Sequence, residues 1–271
     1  MAIKVIALDL DGTLLNSNVE ISSETEQVIK KVSTLGIKIV LATGRPLSGV
    51  FSYNQQLGLA EKSQYNVVFN GAVVQDLDGN IIINHKMNYN DFTNMQKLQR
   101  LAKVNLHFET TDCFWSCDHD LGLNLTKNAY LLNNILKIRE PDEIKTDFTF
   151  NKATFGLIDD IEDVDLLWQS IPDWAFAKYD IIRSLPEIIE ITPKNVSKGS
   201  ALEQLADRLK IDQNQIMVFG DQSNDLSMFT NPRFKKIAMG NAIDMIKKNA
   251  DYVTEDNDHD GVAQALKKFI L

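Results

Sequence analysis

Several short apolar runs in this chain do not alternate: Ile3 to Leu8 (Ile-Lys-Val-Ile-Ala-Leu), Ile37 to Leu41 and Ile216 to Phe219. A strand with one wet face alternates apolar and polar residues. A short run that is apolar at successive positions suits a strand covered on both faces, the situation of a parallel sheet. Tyr65 to Phe69, Ile188 to Ile191 and Lys236 to Met239 are further strand candidates. Helical patterns lie between them. Ser23 and Glu26 have capping-box spacing, Val28, Val32 and Leu35 mark one face, and Gly36 supplies a stop. Ala42-Thr43-Gly44-Arg45-Pro46 reads as a loop into another helix. Lys198 to Lys210 carries Leu202, Leu205 and Leu209 on one face, and helices are predicted to begin near Ser223, Asn241 and Gly261. Strands alternating with helices define an α/β domain with a mostly parallel, Rossmann-like sheet.

The middle of the chain reads differently. Asn70-Gly71 and Asp78-Gly79 are turn dipeptides flanking Ala72 to Gln75, with Ile81 to Ile83 beyond, which is hairpin chemistry. From there to Pro186, helical stretches (Tyr89 to Val104, Ile161 to Ile171) alternate with strand-like runs such as Ala153 to Ile158. Roughly a hundred residues suffice for a separate domain, and 271 residues fit two domains at ~150 each. The expected organisation is a parallel-sheet core domain in two parts, residues 1–83 and 188–271, with an inserted α/β domain over residues 84–187.

Lys and Arg total 28 against 37 Asp and Glu, a formal charge of −9. That excess argues against general binding to nucleic acid or an anionic membrane, both of which need clustered positive charge. No apolar run approaches the ~18 residues of a membrane span, and Asp9 arrives before a leader core could form, so a cytoplasmic location is expected. Two cysteines cannot make a disulfide framework.

The chemistry concentrates where the unalternated runs end. Asp9-Leu10-Asp11-Gly12-Thr13 directly follows the first, and Gly220-Asp221-Gln222-Ser223-Asn224-Asp225 follows another. Open parallel sheets bind ligands outside the carboxyl ends of their strands. Carboxylates crowded there repel one another unless a cation lies between them, although Asp and Gly also favour plain turns. Thr43-Gly44 offers a hydroxyl and backbone N–H groups. Lys198 opens a helix, where its charge opposes the dipole unless anions neutralise it.

In this order, the four elements resemble the four signature motifs of the haloacid dehalogenase-like phosphohydrolase superfamily. The hairpin at Asn70-Gly71-Ala72 and the return at Ile188-Ile189-Glu190-Ile191-Thr192-Pro193 resemble its Cof-type members with a large α/β cap. The resemblance implies a phosphatase acting on a small phosphorylated metabolite, such as a sugar phosphate. Asp9 would be the nucleophile, forming an aspartyl-phosphate, and Asp11 the general acid and base. Mg²⁺ would be held by the Asp9 carboxylate, the Asp11 backbone carbonyl and Asp221, with water and phosphate completing its shell. The Leu10 and Gly44 N–H groups, Thr43, Lys198 and Asn224 would hold phosphoryl oxygens, and Asp225 would orient Lys198 or a metal-bound water. A phosphomutase and a phospho-accepting signalling domain are the rival readings.

Other signals are weaker. Asp256-Asn257-Asp258-His259-Asp260-Gly261 matches the start of a calcium loop, but Lys267 stands where that loop needs an acid, so a helix-entry turn is expected. Cys113 and Cys117, near His107 and His119, suggest zinc, yet residues four apart on a strand lie ~13 Å from each other; buried cysteines are expected instead. The polar residues Asn124, Lys127, Lys178 and Arg183 of the inserted domain spell no specificity code, and the role of Arg45 stays open. No phosphate loop of the Gly-x4-Gly-Lys type and no Gly-x-Gly-x2-Gly turn is present.

Overall fold

A computed structural model describes residues 2–59 and 64–271. The chain begins with β1 (Val5–Leu8), α1 (Ser23–Thr34), β2 (Lys38–Ala42), α2 (Phe51–Gln56), β3 (Tyr65–Val68), β4 (Val73–Asp76) and β5 (Ile81–Asn84). It continues through α3 (Tyr89–Gln99), β6 (Val104–Glu109), β7 (Cys113–Ser116), α4 (Leu123–Leu131), β8 (Ile135–Ile138), β9 (Lys152–Leu157), α5 (Ile161–Ser170), α6 (Asp173–Lys178), β10 (Tyr179–Leu185) and β11 (Ile188–Pro193). The last stretch holds α7 (Lys198–Leu209), β12 (Ile216–Gly220), α8 (Leu226–Phe229), β13 (Lys235–Ala238), α9 (Asp244–Lys248), β14 (Tyr252–Val253) and α10 (Gly261–Phe269).

These elements make two compact units. The first comprises residues 1–44, 50–83 and 197–271; the second comprises residues 45–49 and 84–196. Among the described residues, the first unit's sheet has the order β14-β13-β12-β1-β2-β3-β4-β5. Its strands from β14 to β3 run parallel, and β4 turns back antiparallel on β3. Every residue of β1 is buried, which is why its sequence does not alternate. From β1 the chain steps to β2 and β3 on one side, and later to β12 and β13 on the other. The carboxyl end of β1 therefore lies at the switch point, where α/β sheets leave a crevice.

The second unit has the sheet order β10-β11-β9-β6-β7-β8, antiparallel except for the β7–β8 pair. One face carries Leu106, Phe108, Ala153, Phe155, Ile189 and Ile191, packed with Phe92, Met95, Val164 and Leu167 of α3 and α5. The other face holds a cluster that the sequence did not reveal. His107, Glu109, Lys152, Thr154 and Glu190 are all buried, and Lys152 pairs with Glu190 and, at 3.0 Å, with Glu109. Burial pushes the Glu109 carboxyl up, but Lys152 and then His107 outweigh it and hold the group below its ordinary range. The same two carboxylates keep Lys152 above its ordinary range despite burial.

Four boundaries differ from expectation. The first unit resumes at Ser197, not Ile188, because β11 pairs with β9 and β10 and its Ile189 and Ile191 join the second unit's core. An apolar run alone cannot say which sheet a strand joins. The helix from Tyr89 ends at Gln99, and Val104 opens β6. The helix expected near Asn241 starts at Asp244. The N-cap of α1 is Ser22, whose hydroxyl accepts from the Thr25 N–H.

Candidate active site

The Asp9 N–H donates to the Phe219 carbonyl of β12 at 3.2 Å, tying the end of β1 to its neighbour. The chain then turns tightly: N–H groups of Thr13 and Leu15 return to the Leu10 carbonyl, and that of Leu14 to the Asp9 carbonyl. Gly12 makes the turn possible. Its φ is +77°, and a Cβ there would fall 2.5 Å from Asp221 Oδ2. The turn also delivers Thr13, whose hydroxyl donates to Asp221 Oδ1 at 2.9 Å. Asn241 donates to the Gly12 carbonyl at 2.8 Å. The sequence reading gave neither Thr13 nor Asn241 a role; a hydroxyl beside two acids was the available signal for Thr13.

Lys198 is the first residue of α7, with Ser197 as its N-cap. Its side chain is fully buried, and Nζ lies 2.5 Å from Asp9 Oδ1 and 2.7 Å from Asp225 Oδ1. The second oxygen of Asp225 accepts from the N–H groups of Asp221 and Gln222. Asp225 is thus occupied in holding Lys198 and the Asp221 loop. Oxygens of Asp9, Asp221 and Asp225 lie within 4.8 Å of one another.

Three buried carboxylates against one ammonium leave the cluster anionic. Burial first, then the Asp225 charge, lift the Asp9 carboxyl well above the ordinary range, against the pull of Lys198. The same two causes push Asp221 up to about 7. Burial alone would lower Lys198, but Asp225 and Asp9 hold it above its ordinary value. The site has an unmet demand for positive charge. Its donors are all oxygen, the set preferred by hard divalent cations. Because Asp225 is spent on protein partners, Asp9 and Asp221 are the side chains fitted to hold such an ion.

The remaining predicted residues lie on the segments that follow β1, β2 and β12. Leu10 is buried inside the turn and Asp11 is exposed on it. Thr43 is buried just past the end of β2, its N–H donating to Val67, with Gly44 next to it partly exposed. Asn224, half-buried, donates to Asn70 Oδ1 at 3.4 Å. Other polar residues have partners of their own. Lys178 pairs with Asp91 and Arg183 with Asp165. Arg45 donates to the Gly49 carbonyl at 3.4 Å. In the calcium-like loop, Asp256 accepts from the Asp258 N–H, Asp258 from Ser17, and Asp260 from Ser22 and Thr25, ahead of α10. Cys113 is buried, and Cys117 is half-buried with its thiol pushed up to about 11 by burial and then by Asp118.

The acid cluster at the switch point of the parallel sheet, joined by a lysine from a distant helix, stands where such sheets take their ligands. The chain belongs to the haloacid dehalogenase-like hydrolases, whose family profile matches residues 6–266. A protein of Streptococcus pyogenes serotype M6, provisionally named a phosphatase, is 35% identical over 277 residues, covering 100% of both chains. YcsE of Bacillus subtilis, named a 5-amino-6-(5-phospho-D-ribitylamino)uracil phosphatase, is 30% identical over 270 residues, covering 99% of this chain and 96% of its own. The crystal structure of a haloacid dehalogenase-like hydrolase from Bacteroides thetaiotaomicron superimposes with a TM-score of 0.86 at 26% identity, covering 98% of this chain and 99% of that one. With that membership, the chain is a phosphatase of the haloacid dehalogenase-like type.

Proposed function

We propose that the protein is a Mg²⁺-dependent phosphatase that hydrolyses a small phosphorylated metabolite through an aspartyl-phosphate, sugar phosphates being the first class to test. The observation that carries this reading is the Asp9 carboxylate, buried at the end of β1, bonded to Lys198 and within ligand-sharing distance of Asp221. A small phosphate ester suits the acidic net charge better than a polyanionic polymer. YcsE is named for a phosphate carried on a ribityl chain, and that name adds weight to polyol and sugar phosphates.

In this reading an Asp9 oxygen attacks phosphorus while the ester P–O bond breaks and Asp11 gives its proton to the departing alkoxide. Water then attacks the aspartyl-phosphate and passes a proton to Asp11, the Asp9–phosphorus bond breaks, and inorganic phosphate leaves. Lys198, Asn224, Thr43 and the N–H groups of Leu10 and Gly44 hold phosphoryl oxygens. Asp225 keeps Lys198 in place. Asp9, the Asp11 carbonyl and Asp221 would hold Mg²⁺, which supplies charge neutralisation for the phosphoryl group. Carboxylates paired with a cation ionise, which turns the raised Asp9 into a competent nucleophile.

Phosphate release from a panel of phosphorylated metabolites, with and without Mg²⁺, tests the proposal. Mg²⁺-dependent turnover of some members, abolished in Asp9→Asn, is the expected result. Undiminished turnover in Asp9→Asn would overturn it.

A further inference from the structure

Among the described residues of the first unit, the turn between β3 and β4 holds the longest run of positive φ. Phe69, Asn70 and Gly71 are consecutive and all have positive φ, at +52°, +53° and +100°. Gly tolerates that region; Asn enters it at modest cost, and a bulky Phe does so rarely. Such strain persists only where the surroundings enforce it, and it collects at functional sites.

The surroundings here are three of the groups assigned to phosphate. The Asn70 N–H donates to the Thr43 carbonyl at 3.0 Å. The Asn70 carboxamide oxygen accepts from Asn224 Nδ2 at 3.4 Å. Gly71 abuts the start of α7 so closely that a Cβ would lie 2.2 Å from the Ser197 carbonyl oxygen and 3.0 Å from the Lys198 nitrogen. Asn70 itself is buried. One turn therefore touches the backbone that carries Thr43, the side chain of Asn224 and the backbone that carries Lys198.

We propose that Asn70 is a positioning residue for phosphate recognition, acting through Asn224. A carboxamide nitrogen has two N–H donors. With one of them bonded to Asn70, the amide plane of Asn224 is fixed and the second N–H is presented in a single orientation. The left-handed conformation of Asn70 is what brings its side chain to Asn224 while its own N–H stays on Thr43. The proposal rests on the phosphatase reading, because that reading makes Asn224 a phosphate ligand.

The test is a double-mutant cycle on Asn70→Gly and Asn224→Ala in the full-length protein with Mg²⁺. Glycine suits a φ of +53°, so Asn70→Gly removes the carboxamide without adding backbone strain. Its urea midpoint is expected to stay at or above that of the wild type. Its kcat/KM on p-nitrophenyl phosphate, and its affinity for inorganic phosphate by calorimetry, should each fall by about tenfold, the worth of one hydrogen bond to a positioned polar group. The double variant should fall no further than Asn224→Ala alone. Multiplicative losses, or unchanged phosphate affinity in Asn70→Gly, would overturn the proposal. A wild type that binds phosphate but turns over no ester would sink the phosphatase reading instead, and the phosphate-affinity cycle would still decide the coupling.

Discussion

The ammonium of Lys198 reaches back 189 residues to lie 2.5 Å from the carboxylate of Asp9. It is the cation that the crowded acids hold closest, and its own burial is complete. The pair ties α7 to the end of β1 and offsets part of the charge of the crowded acids.

Removing that lysine should therefore damage more than catalysis. Lys198→Met leaves Asp9 and Asp225 buried without their ammonium. Breaking a buried pair by deleting one partner costs about 3–5 kcal/mol, so the urea midpoint of the metal-free variant should drop accordingly. Mg²⁺ should recover part of the loss. A midpoint equal to that of the wild type would show that the pair contributes nothing to folding.

The metal-free protein should grow less stable as pH rises. Asp221, pushed up to about 7, binds a proton in the folded state across a range where the unfolded chain has released it. Stability therefore falls as pH climbs from about 4, the unfolded value, to 7. Mg²⁺ should abolish that decline, and its affinity should weaken by up to about tenfold per pH unit below 7 as the carboxylate protonates. Thermal melts with Mg²⁺ or EDTA across pH 5 to 8 check both. EDTA should also abolish phosphate release. Ca²⁺, with its looser shell, should replace Mg²⁺ poorly.

Asp11→Asn keeps the backbone carbonyl but cannot carry a proton. Attack on a sugar phosphate should slow by ~10²–10⁴-fold for want of a general acid. p-Nitrophenyl phosphate, with a weakly basic leaving group, should suffer much less in that step. Hydrolysis of the aspartyl-phosphate should be slow for both, giving a burst of about one p-nitrophenolate per site in rapid mixing. Equal losses on the two substrates with no burst would reassign the proton transfers.

The second unit offers a test of its own buried charges. Lys152→Met strands Glu109 and Glu190, and the fold should lose about 3–5 kcal/mol at pH 7. Glu109 is held below its ordinary value in the wild type. Its contribution is therefore present above the unfolded value of about 4.3 and is lost as pH falls through the depressed one. The gap between variant and wild type should accordingly narrow on acidification. Urea titrations at pH 4 and pH 7 give the comparison.

How much of this was legible depended on the range of the interaction. The ends of β1, β2 and β12 could be read because strands covered on both faces leave unmistakable apolar runs. The acids that follow them stand at the crevice that such sheets leave. Lys198 was legible as a cation at a helix start, and its partners Asp9 and Asp225 share its motif set. Asn70 read only as a turn residue, because a hairpin and a strained support for Asn224 ask for the same dipeptide. Lys152 and Glu109 were illegible for a similar reason: charged residues spaced by two on a strand look like a solvated face until a sheet buries them. The pairs of Arg183 with Asp165 and of Lys178 with Asp91 were not legible either, because these carboxylates come from α5 and α3, at separations that no local pattern encodes.

The sheet order has one more consequence, for the chain as it is made. β1 forms its pairing with β2 early, but its other edge waits for β12, more than two hundred residues further along. At ordinary synthesis rates of about 5–20 residues per second, that wait lasts on the order of 10–40 s. Throughout it, a fully apolar strand presents an open edge, the kind of template that draws stray chains into aggregates. Within that span, residues 84–196 of the second unit are contiguous, and among the described residues the strands of its sheet pair only with one another. Yield in the cell should therefore respond to substitutions that slow synthesis or folding of this stretch, even where the purified enzyme is indifferent to them.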